Sequence, residues 1–341
     1  MKNKQANKLF FSMTYEFLEI YMPSQAGMSP ETIRSYRDAL TVFRRYLYEV
    51  RNISIAKFLF VECTKDFLMD FVSHLKSKGC GAGTCNQRIA AIRSYLCFAA
   101  DKDIALESIV LNASKVPPSK ERKKERETLS DEALAAILHQ PPNTKTGLRN
   151  RTMMTLLYDS AARVGELLGL KLGDINIAGK EPYIRVLGKR NKERIIGIST
   201  RTADHLRTYI GVYHKKQQKG MFLFFTTING ISNEMSSGNV RRFIQQYANE
   251  ARDSGIDVPN TVYPHMLRRT RATNLYQDGI DIEMVSKVLG HSKTETTKIY
   301  AKPSLEQMRA ALESVETPEQ KNELPLWEGN EDEMARIFGL R

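Results

Sequence analysis

With 341 residues, 41% of them hydrophobic and 26% charged, the chain has an ordinary globular composition and enough length to bury two hydrophobic cores. No apolar run reaches the ~18–20 residues needed to span a bilayer, and MKNKQANKLFFSMTYEF at the start lacks a signal-peptide stretch, so a cytoplasmic protein without membrane contact is expected. A net charge of +12 favours a polyanionic partner, because each Lys or Arg that meets a phosphate releases condensed counterions.

From residue 29, SPETIRSYRDALTVFRRYLYEV predicts a helix. Ser29 can cap it, Pro30 suits its first position, and Ile33, Tyr36, Leu40, Phe43 and Leu47 recur at helical spacing. A second such helix is expected after Thr84, with Ile89, Ile92, Leu96 and Ala99 on one face. Arg34, Arg37, Arg44 and Arg45 interleave with the first stripe, and Arg88 and Arg93 flank the second. Singly each suits a solvated surface; together, on a basic chain, they are candidate phosphate contacts. Cys63, Cys80, Cys85 and Cys97 do not match zinc spacings and are expected to be reduced, partly buried thiols.

Around 112–128 the composition shifts to NASKVPPSKERKKERET, whose two prolines and basic run, Lys123 and Lys124 included, indicate a linker that can also lie along a polyanion. Helical periodicity resumes at Ser130 with one interruption, EPYIRVLGKRNKERIIGIS, which predicts a β-hairpin with a basic tip. The last thirty residues turn acidic and end in a short amphipathic stretch near 331–338, and Leu324, Leu326, Trp327, Ile337 and Phe338 are too apolar for a wholly solvated tail.

Three patches in the second half carry candidate chemistry. In Ser160-Ala-Ala-Arg163-Val-Gly-Glu166, an arginine and a carboxylate stand one helical turn apart. In Pro264-His265-Met-Leu-Arg268, Pro264 suits a helix start, and the two basic residues follow where the helix dipole and free amides favour an anion. From Asp281 a short helix is expected to run to a Gly290 C-cap, so that His291 emerges at a corner and Tyr300 follows on the next helix. Taken singly, these are also an ion pair, a basic helix surface and a DNA-reading helix-turn-helix.

The order and spacing of Ala-Arg163-Val-Gly-Glu-Leu, His265-x-x-Arg268 and Leu-Gly-His291-Ser…Tyr300 resemble the tyrosine recombinase (phage integrase) family, and Gly188-Lys189-Arg-Asn-Lys-Glu-Arg is similar to its lysine-bearing β-turn. SPETIRSYRDAL and TCNQRIAAIRSYLCFA resemble its core-DNA-binding domain, so the likeness covers roughly residues 10–305. It implies a mainly α fold with a small β-hairpin and two domains. These are a helical, SAM-like core-DNA-binding domain over 1–111 and a catalytic domain over 129–310, joined by the linker 112–128 and followed by a tail, 311–341, exchanged between subunits or packed on its own domain. The chain departs from the family's usual pattern at Ala161, where glycine is usual, and at Arg269, Arg271 and Lys302.

By the same resemblance, Tyr300 attacks the scissile phosphate and releases a 5′-hydroxyl. A free phenol keeps its proton to about pH 10, so His265 is the expected base or positioning group. Arg163 and Arg268 hold the non-bridging oxygens, His291 adds a donor, Lys189 protonates the leaving oxygen, and Glu166 orients the arginines. The phosphotyrosyl bond conserves the energy of the broken diester, so the scheme calls for no metal, ATP or other cofactor. Neither a P-loop nor clustered carboxylates occur in the sequence. The implied partners are double-stranded DNA, a homotetramer on two sites and an accessory DNA-bending protein. A type IB topoisomerase and a non-catalytic DNA-binding regulator are the alternatives.

Overall fold

The computed structural model describes residues 9–120, 127–188, 193–216, 218–228, 230–290, 296–300, 307–309 and 331–340. The chain divides into two compact units, Met1–Glu125 and Arg126–Arg341.

In the first unit a π-helical segment, Glu16–Gln25, precedes helices α1 (Pro30–Glu49), α2 (Lys65–Ser77), α3 (Ala82–Lys102) and α4 (Glu107–Ser114). Ser29 caps α1, its hydroxyl accepting from the Thr32 amide at 3.3 Å, an interaction worth about 1 kcal/mol. Leu40, Phe43 and Leu47 then point inward with Phe10, Phe17, Phe58, Phe60 and Phe71. The rings pack edge-on or tilted, Phe43 lying 5.0 Å from Phe71 and 5.3 Å from Phe10 between centroids, a geometry their quadrupoles favour. Tyr95 satisfies its buried hydroxyl by donating to the Phe10 carbonyl. All four cysteines are free thiols, Cys63 and Cys85 buried and Cys97 exposed.

Two boundaries differ from the sequence expectation. Helix α3 begins at Ala82, ahead of Thr84, because Gly81 takes the extended N-cap conformation. Helix α4 runs through residue 111 to Ser114. Arg93 on α3 closes it, Nε donating to the Ala113 carbonyl at 2.9 Å and Nη2 to those of Ser114 and Val116.

The second unit comprises α5 (Asp131–His139), α6 (Lys145–Ser160), α7 (Val164–Leu168), α8 (Thr200–Tyr213), α9 (Ser237–Asp253), α10 (Pro264–Gln277), α11 (Ile282–Leu289) and α12 (Glu331–Ile337). Its core gathers Met153, Leu156 and Leu157 of α6, Leu206 of α8, Ile244 of α9 and Leu267 of α10. The three-stranded antiparallel sheet has the order β1 (Ile175–Asn176), β2 (Tyr183–Leu187), β3 (Glu193–Gly197), with Val186 opposite Arg194. Its β2–β3 pair is the expected hairpin. A second hairpin, β4 (Phe225–Ile228) with β5 (Ile231–Glu234), corrects the single interruption read from the sequence. The Asn-Gly at 229–230 between two β-rich runs is the signal for it.

Candidate active site

Helix α6 ends at Ser160, and the chain turns on Ala161, which adopts the left-handed conformation with φ 48° and ψ 25°. The turn puts Arg163 at the N-cap of α7, outside the helix proper. Glu166 reaches back one turn, Oε2 accepting from the Arg163 amide at 2.9 Å and Oε1 from Arg163 Nη1 at 2.8 Å. From β3, Arg194 meets the same carboxylate with both arms, Nη1 to Oε1 at 3.0 Å and Nη2 to Oε2 at 2.9 Å. The Arg163, Arg194 and Glu166 side chains are 36%, 16% and 7% exposed. Burial pushes the Glu166 carboxyl up, but the hydrogen bonds from Arg194 and from the Arg163 amide outweigh it and hold the group at about 2.

Helix α10 opens on Pro264 and carries His265 exposed at its first turn, whereas Arg268, three residues on, is 1% exposed. Its guanidinium is aimed by two carbonyls, Nη1 donating to Ala161 at 2.6 Å and Nη2 to Leu289 at 2.7 Å. Burial, and then the neighbouring charge of Arg163, pull Arg268 down to about 10, so it remains a cation at neutral pH.

Helix α11 starts with the Asp281 side chain accepting from the Glu283 amide at 2.7 Å and stops at Gly290, φ 62°. Beyond it Tyr300 sits in a 3₁₀ turn, Lys298–Tyr300, where the sequence reading places a further helix. Tyr300 is 3% exposed, packed with Ala161, Ala272, Val285 and Leu289. Ala161, whose carbonyl accepts from Arg268, thus also lies in the cluster around Tyr300.

Arg163, Glu166 and His265 line one open cleft of about 550 Å³, bordered by Leu187 and Gly188 at the end of β2. Lys189, which follows them in the chain, lies outside the described residues, as do His291, Lys123, Lys124 and Lys302. The candidate phosphate contacts of the first unit divide. Arg34 and Arg44 are exposed on α1, and Arg37 is exposed but paired with Glu19 at 2.7 Å. Arg88 donates to the Cys80 sulfur at 3.2 Å. Arg93, also a candidate phosphate contact, donates to the Ala113, Ser114 and Val116 carbonyls of its own unit.

The sequence pattern described as the phage integrase family matches residues 127–307, and that of the phage integrase N-terminal SAM-like domain matches 16–103. The tyrosine recombinase XerD of Staphylococcus epidermidis is 31% identical over 291 residues, 85% of this chain and 93% of that protein. XerD of Staphylococcus haemolyticus is 30% identical over 296 residues, 86% of this chain and 95% of that protein. The chain belongs to the phage integrase family of tyrosine-type site-specific recombinases. Solved structures share its fold. Tn1549 transposon integrase in complex with circular intermediate DNA superposes with a TM-score of 0.65 at 16% identity, covering 89% of this chain and 97% of that one. XerH bound to its difH substrate gives 0.61 at 22% identity, covering 84% and 80%.

Two of the residues by which this recombinase departs from the usual pattern, Arg269 and Arg271, have local partners. Arg269 donates to the Glu127 carbonyl at 2.6 Å and to the Tyr263 hydroxyl at 2.9 Å. Arg271 pairs with Asp159 at 3.5 Å and lies 5.4 Å from the Tyr158 ring centroid. Arg194 is the site residue that the sequence reading leaves unassigned. Strand alternation is its signal, for it puts Arg194 on the inward face with Ile196 and turns Ile195 outward.

Proposed function

We propose that the recombinase cleaves and rejoins double-stranded DNA at specific sites through a 3′-phosphotyrosyl intermediate and a Holliday junction. Tyr300 supplies the nucleophile. Its oxygen bonds to phosphorus as the P–O5′ bond breaks, the phenolic proton passes to a base at His265, and a proton from Lys189 reaches the leaving 5′-oxygen. Arg163, Arg268 and His291 stabilise the non-bridging oxygens, and Glu166 keeps Arg163 turned to the cleft. The observation that carries this reading is the convergence, from separate elements of one unit, of Arg163, Glu166 and His265 on one cleft with Arg268 and Tyr300 packed beside it. Since Tyr300 is nearly covered, binding of DNA has to uncover it.

The functional organisation follows the same reading: the N-terminal unit grips DNA through Arg34, Arg37 and Arg44, and the basic stretch with Lys123 and Lys124 lies along the backbone. Residues 129–310 carry catalysis in a homotetramer, and 311–341 either dock on a neighbouring subunit or pack on their own domain. The enzyme works in the cytoplasm, with a DNA-bending protein as accessory. The test uses nicked duplexes from DNA flanking the recombinase's own gene, resolved on denaturing gels, with Tyr300→Phe in parallel. A covalent protein–DNA band that Tyr300→Phe abolishes, at unchanged DNA affinity, is expected. A band that persists in Tyr300→Phe rules out this nucleophile, and relaxation of supercoils without pairing of two sites would favour a topoisomerase.

A further inference from the structure

Glu166 is shared. Two guanidiniums divide one nearly buried carboxylate, and each of its oxygens accepts from both residues. The three side chains therefore sum to one net positive charge, and the more exposed of the two cations, Arg163, is the one that lines the cleft. Were Arg194 absent, Glu166 would be left to Arg163 alone and would cancel its charge. A phosphate entering the cleft would then meet a neutral pair where it now meets a cation.

Arg194 is also seated from a third side. A Cβ built on Gly290 would stand 2.7 Å from Arg194 Cζ and 2.8 Å from its Nη1. The end of a long side chain ordinarily moves aside at little cost, but here it is held by two hydrogen bonds to Glu166. Gly290 thus serves twice: its φ of 62° ends α11, and its missing side chain leaves the space that the guanidinium occupies. One side chain on β3 is thus bonded to the start of α7 and lies beside the end of α11, the same α11 terminus whose Leu289 carbonyl orients Arg268.

We propose that Arg194 is a positioning residue of the recombinase active site: by taking half of Glu166's hydrogen-bonding capacity it keeps Arg163 turned to the cleft with a net positive charge. The proposal rests on the reading that Arg163 offsets charge on the scissile phosphate. Arg194 touches no DNA in this scheme and acts only through Glu166.

The experiment measures single-turnover cleavage of a nicked duplex by full-length enzyme. It compares wild type, Arg194→Met, Arg194→Lys, Glu166→Gln and the double variant Arg194→Met/Glu166→Gln, each checked for folding by thermal melting. Every enzyme is also given the duplex with a methylphosphonate at the scissile position, which lacks the non-bridging charge that Arg163 would offset. On the ordinary phosphodiester, Arg194→Met is expected to slow cleavage about 100-fold, the scale of losing one transition-state donor. Adding Glu166→Gln is expected to restore at least about tenfold of this, because it removes the carboxylate left uncompensated. On methylphosphonate DNA the gap between wild type and Arg194→Met should shrink to about tenfold or less. A double variant as slow as Arg194→Met, or an undiminished gap on methylphosphonate, overturns the proposal and leaves Arg194 a purely structural residue. Should Arg194→Met not fold, Arg194→Lys, which keeps the charge but loses the two-armed fork, carries the test. It is expected to lose about tenfold on the phosphodiester and much less on the methylphosphonate, and wild-type cleavage by it overturns the proposal. Failure of the underlying reading looks different: Tyr300→Phe would still form covalent complex, or Arg163→Ala would cleave the phosphodiester as fast as wild type.

Discussion

Arg268 and Ala161 meet at 2.6 Å, guanidinium Nη1 to carbonyl oxygen, and Ala161 offers that carbonyl from a left-handed backbone with φ 48°. Left-handed geometry costs a residue with a Cβ roughly 1–2 kcal/mol, and the Ala161 methyl is also wholly buried against Leu289 and Tyr300. Ala161→Val adds branching at a position whose φ rejects it, in a space already filled. It is expected to destabilise the second unit by about 3 kcal/mol. Ala161→Gly trades relieved strain against chain entropy and a lost methyl, and should stay within about 1 kcal/mol of wild type. Urea unfolding of both variants decides, and a valine variant as stable as wild type would show that the strain is not there.

Acid stability should depend on Glu166. Its folded value of about 2 lies below the ordinary 4.5, so between these values the unfolded chain binds more protons at this site and stability rises with pH. The contribution is complete above about 4.5 and disappears as pH falls through about 2. Its size is on the order of 3 kcal/mol. Glu166→Gln is therefore expected to flatten the curve of unfolding free energy against pH between 5 and 2, measured by urea titration at each pH. A curve with wild-type slope in that window would mean that the carboxylate is not held ionised by its two arginines.

The arginines of the first unit should separate into two groups. Arg34 is exposed on α1, so Arg34→Ala is expected to lower the salt dependence of DNA affinity by about one unit of slope and to leave stability alone. Arg93 holds the end of α4 through three carbonyls. Arg93→Met should cost about 2 kcal/mol of stability, with the slope unchanged. Affinity measured from 50 to 200 mM salt, beside thermal melts, makes the comparison, and a reversed outcome would return Arg93 to the phosphate contacts.

How far the sequence could be read depends on the kind of force at each position. Helix ends were legible where one side chain does the capping, as at Ser29, Ser130 and Asp281. Reading failed where backbone conformation decides, as at Gly81, which moves the start of α3. The tyrosine recombinase resemblance names Arg163, Glu166, Arg268 and Tyr300, but periodicity alone cannot foresee that Arg268 is wholly covered or that Tyr300 ends in a 3₁₀ turn. The covering of Arg268 follows from contacts of α10 with the ends of α6 and α11, which are far apart in sequence. Arg194 was hidden for the opposite reason: a run of charged residues reads as a solvated tip, while strand alternation carries its last member inward.

Arg163 should not tolerate lysine. Its Nη1 is spent on Glu166 while the side chain remains 36% exposed in the cleft, so the remaining arm of the fork is what a phosphate oxygen can meet. Lysine would keep the charge but bring it as a single point on a flexible stem, without the planar fork that holds Glu166 with one arm and leaves the other set for the phosphate. Arg163→Lys is therefore expected to bind DNA within about threefold of wild type at equal salt, since the phosphate backbone supplies most of the affinity. Cleavage should fall about 100-fold or more, since the missing contact acts where charge builds up in the transition state. Filter binding and single-turnover cleavage on the same duplex measure the two effects side by side. Equal losses in both would mean that Arg163 serves to hold DNA and adds nothing in the transition state.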